Sequence, residues 1–413
     1  MSAAVRILAA VAAVAALLLV AAPAQARDCP SAVNAQNAIV LETTTGTVAC
    51  ERGADQRRPV GSAVKLMTAL LTLERAKLSD TFTASDYRAA SVESAIDLVP
   101  GQRMSVRDLL RGLLIESGND AAMALAVGVS GSERAFVRLM NRRARQLGLR
   151  NTHYANPIGL DEAGGYSSAR DLVKLATFLR TKPFFRRTVN QPDVTLATGH
   201  FDNRNDLVRE VEWINGVKSG HTGGAGYVLV GSGRQNGIQV VSAVLGTPSV
   251  AARDQDTLEL LSWAIPKFQR ITAAPQGTHV GVSVPIRYRR GAELELVVGR
   301  NGERTVVPRG ERDRVTIHPI KWPSEVQGPI AAGQELGTAE VLQDERRIAT
   351  VPLVASAEVP EAGLAQRTKS WFTRPLPVVL AFAVLSGTVL LARRRRRPGG
   401  PRRRRAREEA TTA

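Results

Sequence analysis

The stretch "VGSAVKLMTALLTLE" (residues 60–74) contains Ser62, followed three residues later by Lys65, and continues as an apolar run with helical spacing. Residues three apart lie on one face of a helix, so the two side chains are predicted to be neighbours. A serine hydroxyl becomes a good nucleophile when a base takes its proton, and a lysine in a dry pocket beside other cations can be that base. The pair alone is weak support, because a solvated lysine after a helix-capping serine gives the same spacing.

Two further triplets support the interpretation of Ser62 and Lys65 as a nucleophile and its base. They are Ser117-Gly118-Asn119 in "LLIESGNDAA" and Lys218-Ser219-Gly220 in "WINGVKSGHTGGAGY". The first falls at a break between helical segments and the second at the start of a strand. They correspond in order to the three-part set of penicillin-binding proteins and class A β-lactamases, which is S-x-x-K with S-D-N and K-T-G. All three in fitting contexts make a chance match improbable.

The surrounding pattern predicts an α+β fold. The chain has 413 residues, 44% of them apolar, which is enough for two or three compact domains. A strand pair over residues 38–50 precedes helical segments over about 105–180, and strands return around a hairpin turn at Gln235-Asn236-Gly237. Strands at both ends predict one sheet built from distant segments and covered by helices. After residue 275, short β runs separated by Gly and Pro predict a small all-β domain.

Residues 1–26 predict a signal peptide. They carry one charged side chain, Arg6, then an apolar run over 7–20 and the small-x-small motif Ala24-Gln25-Ala26, which signal peptidases accept. The run is short for a membrane span, so an uncleaved anchor is the weaker alternative. The mature chain is predicted to begin near Arg27 and to face an extracytoplasmic space.

A second apolar run, 375–392, carries no charge and is followed by the basic tail "RRRRRPGGPRRRRAR". An apolar run of this length next to an arginine block predicts a single transmembrane helix with a cytoplasmic tail. A buried core helix or a nucleic-acid-binding tail is the alternative. Ten arginines against Glu408 and Glu409 supply +8 of the formal +17, so membrane topology accounts for about half of the positive charge, and no nucleic-acid partner is predicted.

The two cysteines, Cys29 and Cys50, lie in the extracytoplasmic part of this topology. An oxidising compartment makes a disulfide between them plausible. Two free, buried cysteines are the alternative. Neither is predicted to be catalytic, because no histidine lies near them in the sequence.

The sequence resembles the low-molecular-mass penicillin-binding proteins of the D-alanyl-D-alanine carboxypeptidase type, which trim cell-wall stem peptides. The blocks that carry the likeness include "SAVKLMTALLTLE", "LLRGLLIESGNDAAMALA", "NRND" and "KSGHTGGAGY". The resemblance implies a penicillin-binding, transpeptidase-like α+β fold with a small all-β C-terminal domain, ending here in one transmembrane helix. It implies peptidoglycan stem peptides as substrate, β-lactams as covalent inhibitors, and no cofactor.

The resemblance also implies catalytic roles for three residues. Ser62 would be the acylated nucleophile and Lys65 its general base. Ser117 would relay a proton to the leaving amine, and Lys218 would bias that transfer electrostatically.

Substrate binding is implied for the following residues: Asn119, Arg204, Lys218, Ser219, Gly220 and His221. Asn119 would hydrogen-bond the substrate's peptide amide. Ser219 and Arg204 would bind its terminal carboxylate, and the backbone N–H groups of Ser62 and His221 would form an oxyanion hole. The alternatives are that Arg204 is a surface charge and that the His221 side chain only packs.

The sequence departs from the family pattern at three places. Val60-Gly61 stand where the family usually has Pro-Ala, Ser219 replaces the commoner Thr, and Ile158 stands where many members have His. These changes keep the nucleophile and the base but put rate and substrate contacts in question.

Two rival functions share the motifs. A serine β-lactamase is less favoured, because no E-x-x-L-N segment lies between Asn119 and Lys218. A non-catalytic penicillin-sensing or wall-binding protein is the second rival. No metal site is predicted, since the five histidines lack ligand spacing and no H-E-x-x-H motif exists.

The predicted domain limits are a signal peptide at 1–26, a catalytic domain at 27–273, a β-rich domain at 276–359, a linker at 360–374, a transmembrane helix at 375–392 and a cytoplasmic tail at 393–413. The predicted location is therefore the cell membrane, with the catalytic domain outside the cytoplasm.

Overall fold

The computed structural model describes residues 28–372 and 382–391. These residues form two compact units, the first made of 28–271 with Thr305–Arg312, and the second of Thr272–Arg304 with the described residues from Asp313 onward. The predicted limits 27–273 and 276–359 remain predictions. The predicted signal peptide and basic tail lie outside the described residues.

The first unit begins with a strand pair, continues mainly with helices, and ends mainly with strands. In chain order its elements are β1 (Asn37–Glu42), β2 (Val48–Arg52), a 3₁₀ turn (Gly61–Val64), α1 (Lys65–Arg75), β3 (Thr81–Thr83), β4 (Arg103–Ser105), α2 (Val106–Ile115), α3 (Asn119–Ser130), α4 (Glu133–Gln146), α5 (Ala169–Arg180), α6 (Pro183–Thr188), β5 (Asp193–Leu196), β6 (Gly199–Asp202), α7 (Leu207–Glu210), β7 (Ile214–Thr222), β8 (Gly226–Gln235), β9 (Ile238–Thr247), α8 (Val250–Ala264) and β10 (Phe268–Thr272).

The central sheet of the first unit is antiparallel and has the strand order β2-β1-β9-β8-β7. It joins distant segments as the sequence predicts, since Ile39 on β1 pairs with Ala243 on β9. Successive residues of a strand point to opposite faces. Ile39 accordingly packs into a core with the helices α1 to α5, whereas its neighbour Val40 packs into a second core with α8. Both faces of the sheet are therefore covered by helices.

The hairpin between β8 and β9 turns at the predicted place, and its two central residues are Asn236 and Gly237. Gln235 pairs with Ile238 across it, and Asn236 and Gly237 have φ angles of 52° and 79°. Positive φ at both central residues is the type I′ geometry that suits a twisted hairpin. On its other side β8 pairs with β7, the strand that carries Lys218.

Serine side chains begin four of the helices. Each serine oxygen accepts the backbone N–H three residues later, which satisfies a donor that the helix leaves unpaired. The pairs are Ser105 with Asp108, Ser132 with Ala135, Ser168 with Asp171 and Ser249 with Ala252. These four helices thus start at residues that the sequence itself marks.

Cys29 and Cys50 are joined by a disulfide, with their Cα atoms 5.0 Å apart. The bond ties the start of the described chain to β2, and both cysteines pack into the core beneath α8. The predicted pairing is therefore confirmed, and the alternative of two free cysteines is wrong.

The second unit is almost entirely β. Its elements, with the strand that returns to the first unit, are β11 (His279–Pro285), β12 (Glu293–Val298), β13 (Arg304–Pro308), β14 (Val315–Lys321), β15 (Glu335–Gln343), β16 (Arg346–Ala355) and α9 (Leu364–Phe372). Five strands form an antiparallel sheet in the order β11-β12-β16-β15-β14, and β13 pairs with β10 instead. The predicted small all-β domain is present.

Residues 28–372 and 382–391 contain no helix with the length and apolar composition that a membrane crossing needs. The predicted transmembrane helix is thus not supported by the described part of the chain. Residues 375–381 and 392 of the predicted span lie outside it. The described portion, 382–391, is helical and leaves large apolar side chains exposed.

Candidate active site

Ser62 and Lys65 are in direct contact. Ser62 lies in the 3₁₀ turn and Lys65 is the first residue of α1, so one turn of backbone separates them. Lys65 Nζ lies 2.7 Å from Ser62 Oγ and donates to the carbonyl oxygen of Ile158 at 2.8 Å. The lysine is 0% exposed. Its amine therefore contacts the hydroxyl and is shielded from bulk water.

The environment of Lys65 favours the neutral amine. Burial lowers its pKa most, and the positive charge of Lys218 lowers it further, whereas Glu93 and Asp120 act in the opposite direction. The net result is a pKa well below the ordinary lysine value. A neutral amine can accept the hydroxyl proton of Ser62, which is the property that a general base needs.

The Ser117-Gly118-Asn119 triplet forms the corner between α2 and α3. Ser117 has a φ angle of 73°, and its buried Oγ has no hydrogen-bond partner among the described residues. A Cβ on Gly118 would lie 2.8 Å from Asp120 Oδ1, so glycine is required for this tight corner. Asn119 Nδ2 donates to Glu93 Oε2 at 2.6 Å. The corner thus holds the two polar side chains of the triplet in the wall of one cavity.

Lys218 on β7 is the second buried amine of the site. It is 1% exposed, and its Nζ donates to the Ser219 carbonyl at 3.1 Å. Burial lowers its pKa to about 7, with Glu116 opposing the shift and Arg204 reinforcing it. Lys218 therefore changes charge near neutral pH.

Glycines allow β7 to approach the nucleophile's turn closely. A Cβ on Gly220 would lie 2.7 Å from the Val60 carbonyl oxygen and 3.1 Å from Ser62 N. Gly61 has a φ angle of 52°, and a Cβ there would lie 2.8 Å from His221 N. In this chain the departure to glycine at residue 61 therefore fits the geometry of its own backbone.

Arg204 is held at the rim of the cavity by Glu116. Its Nε lies 3.1 Å from both carboxylate oxygens of Glu116, and its Nη2 contacts Oε1. Glu116 is buried, whereas the Arg204 side chain is 55% exposed. The arginine thus presents a fixed guanidinium to the cavity and is not an isolated surface charge.

The side chains of His221 and Ile158 both pack against neighbouring groups. The His221 ring stacks on Tyr227 with the ring centroids 4.0 Å apart. The Ile158 side chain packs in the core, and only its carbonyl oxygen reaches Lys65. Because Lys65 contacts the backbone of residue 158, isoleucine at this position still provides the hydrogen-bond acceptor for Lys65.

A cavity of about 1080 Å³ brings most of the predicted residues together. The predicted residues that line it are Ser62, Ser117, Asn119, Arg204, Ser219, Gly220 and His221. Lys65 and Lys218 are not in the lining and are fully buried. The described part of the chain contains no group of three or more His, Cys, Asp or Glu side chains that could hold a metal ion.

Sequence reasoning missed Glu93 and Glu116, which also line the cavity. Glu116 directly precedes Ser117, so its position next to the triplet was a usable signal. Glu93 lies 26 residues before its partner Asn119, in an irregular segment without hydrophobic periodicity. No local pattern marks such a residue.

The fold and the buried Ser62–Lys65 pair are those of an acyl-transferring serine enzyme of the penicillin-binding class. The chain belongs to the D-alanyl-D-alanine carboxypeptidase family, whose profile matches residues 22–249. The C-terminal domain of penicillin-binding protein 5 matches residues 268–361. The family is one of serine peptidases, so the prediction of a hydrolase of this kind is confirmed.

Named relatives and solved structures agree with this family. The D-alanyl-D-alanine carboxypeptidase DacF of Bacillus subtilis is 30% identical over 80% of this chain and 87% of its own length. DacD of Escherichia coli is 30% identical over 83% of this chain and 91% of its own length. The structure of penicillin-binding protein 5 from Haemophilus influenzae superposes with a TM-score of 0.59 at 28% identity, covering 81% of this chain and all of that one.

Proposed function

We propose that this chain removes the terminal D-alanine from peptidoglycan stem peptides through an acyl-enzyme on Ser62. The observation that carries the proposal is the 2.7 Å contact between Lys65 Nζ and Ser62 Oγ. It places a buried amine, with its pKa lowered by burial and by Lys218, on the one serine that heads α1. Serine nucleophiles are recognised by such contact with a base.

Acylation follows from this contact. Ser62 Oγ attacks the carbonyl carbon of the penultimate D-alanine while Lys65 Nζ accepts the hydroxyl proton. The bond to the nitrogen of the terminal D-alanine then breaks, and that nitrogen takes up a proton through Ser117. The unpartnered Ser117 Oγ supports this role, because it is free to contact the leaving nitrogen. Lys218 lies in the same site and biases the transfer by its charge.

Deacylation uses the same groups. Water attacks the ester carbonyl and gives one proton to the network of Lys65 and Ser117. The bond between the carbonyl carbon and Ser62 Oγ then breaks, Ser62 Oγ takes up that proton, and the shortened peptide leaves with a new carboxylate. A β-lactam acylates Ser62 in the same way, but the opened ring stays attached to the ester. Slow hydrolysis of that ester explains covalent inhibition, which is general in this family.

The binding residues are assigned by what each can donate. The Nη1 group of Arg204 is not used by Glu116, and with the Ser219 hydroxyl it is proposed to bind the substrate's terminal carboxylate. The backbone N–H groups of Ser62 and His221 border the close contact between the turn and β7. They are proposed as the oxyanion hole.

Intact mass spectrometry after treatment with benzylpenicillin tests the proposal. We expect a covalent adduct, located on Ser62 by peptide mapping, and release of D-alanine from a D-Ala-D-Ala peptide. Ser62→Ala should abolish both, while Ser94→Ala, a serine that lines the same cavity, should keep both.

Other outcomes of this experiment separate the rival functions. D-alanine release by the Ser62→Ala variant would refute the assignment of the nucleophile. An adduct without D-alanine release would favour a penicillin sensor, and rapid loss of the adduct would favour a β-lactamase.

We further propose that the chain is exported and anchored in the cell membrane by the span 375–392, with the catalytic domain (27–273) and the β-rich domain (276–359) outside the cytoplasm. The exposed apolar side chains of helical residues 382–391 and the arginine block after them support this topology. Truncation after residue 374 should move the protein from the membrane fraction to the soluble fraction. Retention in the membrane would contradict the anchor.

A further inference from the structure

Helix α4 carries a row of arginines along its solvent-facing side. The exposed arginines of this helix, called the arginine row below, are Arg134, Arg138, Arg142 and Arg145. Residues three and four apart lie above one another on a helix, so this spacing places all four side chains on one face. The opposite face is buried and carries Phe136, Met140 and Ala144. With a rise of about 1.5 Å per residue, the row is about 16 Å long.

The charge of the arginine row has no counter-charge in contact with it. None of its four members has an ion-pair partner among the residues that the structure describes. The fifth arginine of α4, Arg143, pairs instead with Glu74 of α1 at 2.7 Å. The one acidic residue of α4, Glu133, is half-buried, and its pKa is raised by burial and by the nearby Glu162. The row therefore presents four positive charges to solvent.

This arrangement is unfavourable for the helix itself. Like charges three or four residues apart on a helix repel one another and destabilise it. Arg134 also lies in the first turn of α4, where the helix dipole favours acidic side chains. An anion outside the chain would supply the missing counter-charge through charge-assisted hydrogen bonds. The row thus has the properties of a surface that is completed by an anionic partner.

A groove between α4 and α1 extends the arginine row at one end. The groove has a volume of about 310 Å³, and Arg75 of α1 lines it together with Arg142. Its one carboxylate, Glu74, is already used by Arg143. Arg75 is exposed and therefore adds a fifth positive charge beside the row.

We propose that the arginine row, together with Arg75, is a binding surface for a linear polyanion that carries phosphodiester groups in its backbone. The arginine fork matches the oxygens of a phosphate group. A row that is narrow and about 16 Å long fits a strand-like ligand better than a compact anion. The inference does not depend on the chemistry at Ser62, and it uses the proposed export only to place the surface in the cell envelope.

The spacing of the charges supports a phosphodiester chain. Neighbouring arginines of the row are about 5–6 Å apart along the helix axis. Three backbone bonds extend about 3.5 Å, so a glycerol phosphate unit of six bonds places one charge about every 7 Å at full extension. A slightly bent chain of this kind therefore matches the row.

A lipid surface fits α4 less well. Helices that lie on a membrane bury an apolar face in it. The apolar face of α4 is used by the protein core instead, where Phe136 and Met140 are 0% exposed. Binding to lipid headgroups is therefore treated as a contrary outcome of the test.

Arginine-specific labelling of the full-length protein with phenylglyoxal, followed by peptide mass mapping, tests the proposal. The probe is poly(glycerol phosphate). Bound polymer should slow the labelling of the arginine row at least about fivefold at low salt, and the protection should fade as salt is raised, because counterions compete for the same charges. Each arginine is read separately, so polymer that binds the basic tail does not disturb the measurement.

Exposed arginines of the second unit serve as internal references. Their labelling should change less than about twofold when the polymer is added. They are Arg290, Arg300, Arg304 and Arg346.

A variant with glutamine at all four positions of the arginine row removes its charge. Glutamine has nearly the helix propensity of arginine, so α4 should persist and the far-ultraviolet circular dichroism should be unchanged. The polymer concentration that half-protects Arg75 should rise about tenfold or more. The matched control has glutamine at the four reference positions and should leave that concentration unchanged. In both variants the acylation of Ser62 by benzylpenicillin should keep its wild-type rate.

The proposal is overturned if the polymer leaves the labelling of the row unchanged, or if it protects the row and the reference arginines equally. Equal protection by polyglutamate at the same charge concentration would show that the surface does not select phosphodiesters. Protection by phosphatidylglycerol vesicles without protection by the polymer would assign the surface to lipid. Failure of the proposed function is recognised separately, because the wild-type protein would then form no Ser62 adduct while the labelling result still stands.

Discussion

The two units of this chain treat charged side chains in opposite ways. The first unit buries lysines, arginines and carboxylates, among them Lys65, Lys218 and Glu116. Among the second-unit side chains whose exposure the structure describes, every charged one is at least partly exposed. Pairs such as Arg347 with Glu340 lie at the surface. Burying a charge without full compensation destabilises a fold. The unit that carries such charges is the one where chemistry is expected.

Removing the base should give the largest effect. Lys65→Ala leaves Ser62 without a proton acceptor, so acylation by benzylpenicillin should slow by about 10³-fold or more, within the range for general-base catalysis. Stopped-flow or mass-resolved acylation kinetics measure this. Lys174→Ala is the control, because that lysine is exposed and its amine donates to the Gly148 carbonyl, away from the cavity lining. Wild-type rates in the Lys65→Ala variant would show that another group takes the proton.

A core substitution in the second unit tests whether that unit contributes stability and no catalysis. Leu353 is 0% exposed in its apolar core, so Leu353→Ala should lower the free energy of unfolding of that unit by about 2–5 kcal/mol. Hydrogen exchange of β15 and β16, followed by mass spectrometry, reports the loss. The acylation rate of Ser62 should stay unchanged. A parallel fall in that rate would mean that the second unit contributes to catalysis.

The disulfide gives an intermediate effect confined to the first unit. Replacing Cys29 and Cys50 together by serine opens a loop with a sequence separation of 21 and should cost about 3 kcal/mol in the chain-entropy account. Denaturant unfolding, with hydrogen exchange of β1 and β2 as the local probe, measures the change. Benzylpenicillin should still acylate the folded protein at the wild-type rate. An unchanged unfolding midpoint would show that the bond adds no stability.

The pH dependence of substrate binding gives the smallest effect. Lys218 has its pKa lowered to about 7, mainly by burial, so it loses its positive charge as the pH rises through that value. KM for a D-Ala-D-Ala peptide should then increase, by about fivefold between pH 6 and 8, as one charge near the carboxylate is lost. In the Lys218→Met variant this increase of KM between pH 6 and 8 should disappear. A KM independent of pH in the wild type would contradict this role.

Sequence patterns predicted the regular parts of the molecule. The Asn236-Gly237 turn, the sheet that joins β1 to β9 and the small β domain all follow from local periodicity and turn chemistry. The Cys29–Cys50 bond followed from the predicted compartment. The contact of Ser62 with Lys65 followed from helical spacing, because a separation of three residues puts both on one face.

The features of the site that the sequence did not predict depend on tertiary packing. Glu93 reaches Asn119 only because the segment 84–102 is fastened across the start of α3. Glu116 and Arg204 are 88 residues apart in the chain, so no local sequence pattern identifies them as partners. Gly61 could be seen as a departure from the family pattern, but its reason, the close approach of His221 N, required the three-dimensional structure.

The most direct test of the account is the titration of the Lys65 side chain in the free enzyme, followed by NMR of protein with ¹³C-labelled lysine. Loss of one resonance in Lys65→Arg assigns the signal. The account predicts that Lys65 titrates far below the ordinary lysine value of 10.5, so that a neutral amine contacts Ser62 at the pH where the enzyme works. A Lys65 that titrates near 10.5 would contradict it, because a protonated ammonium cannot take the proton of the hydroxyl.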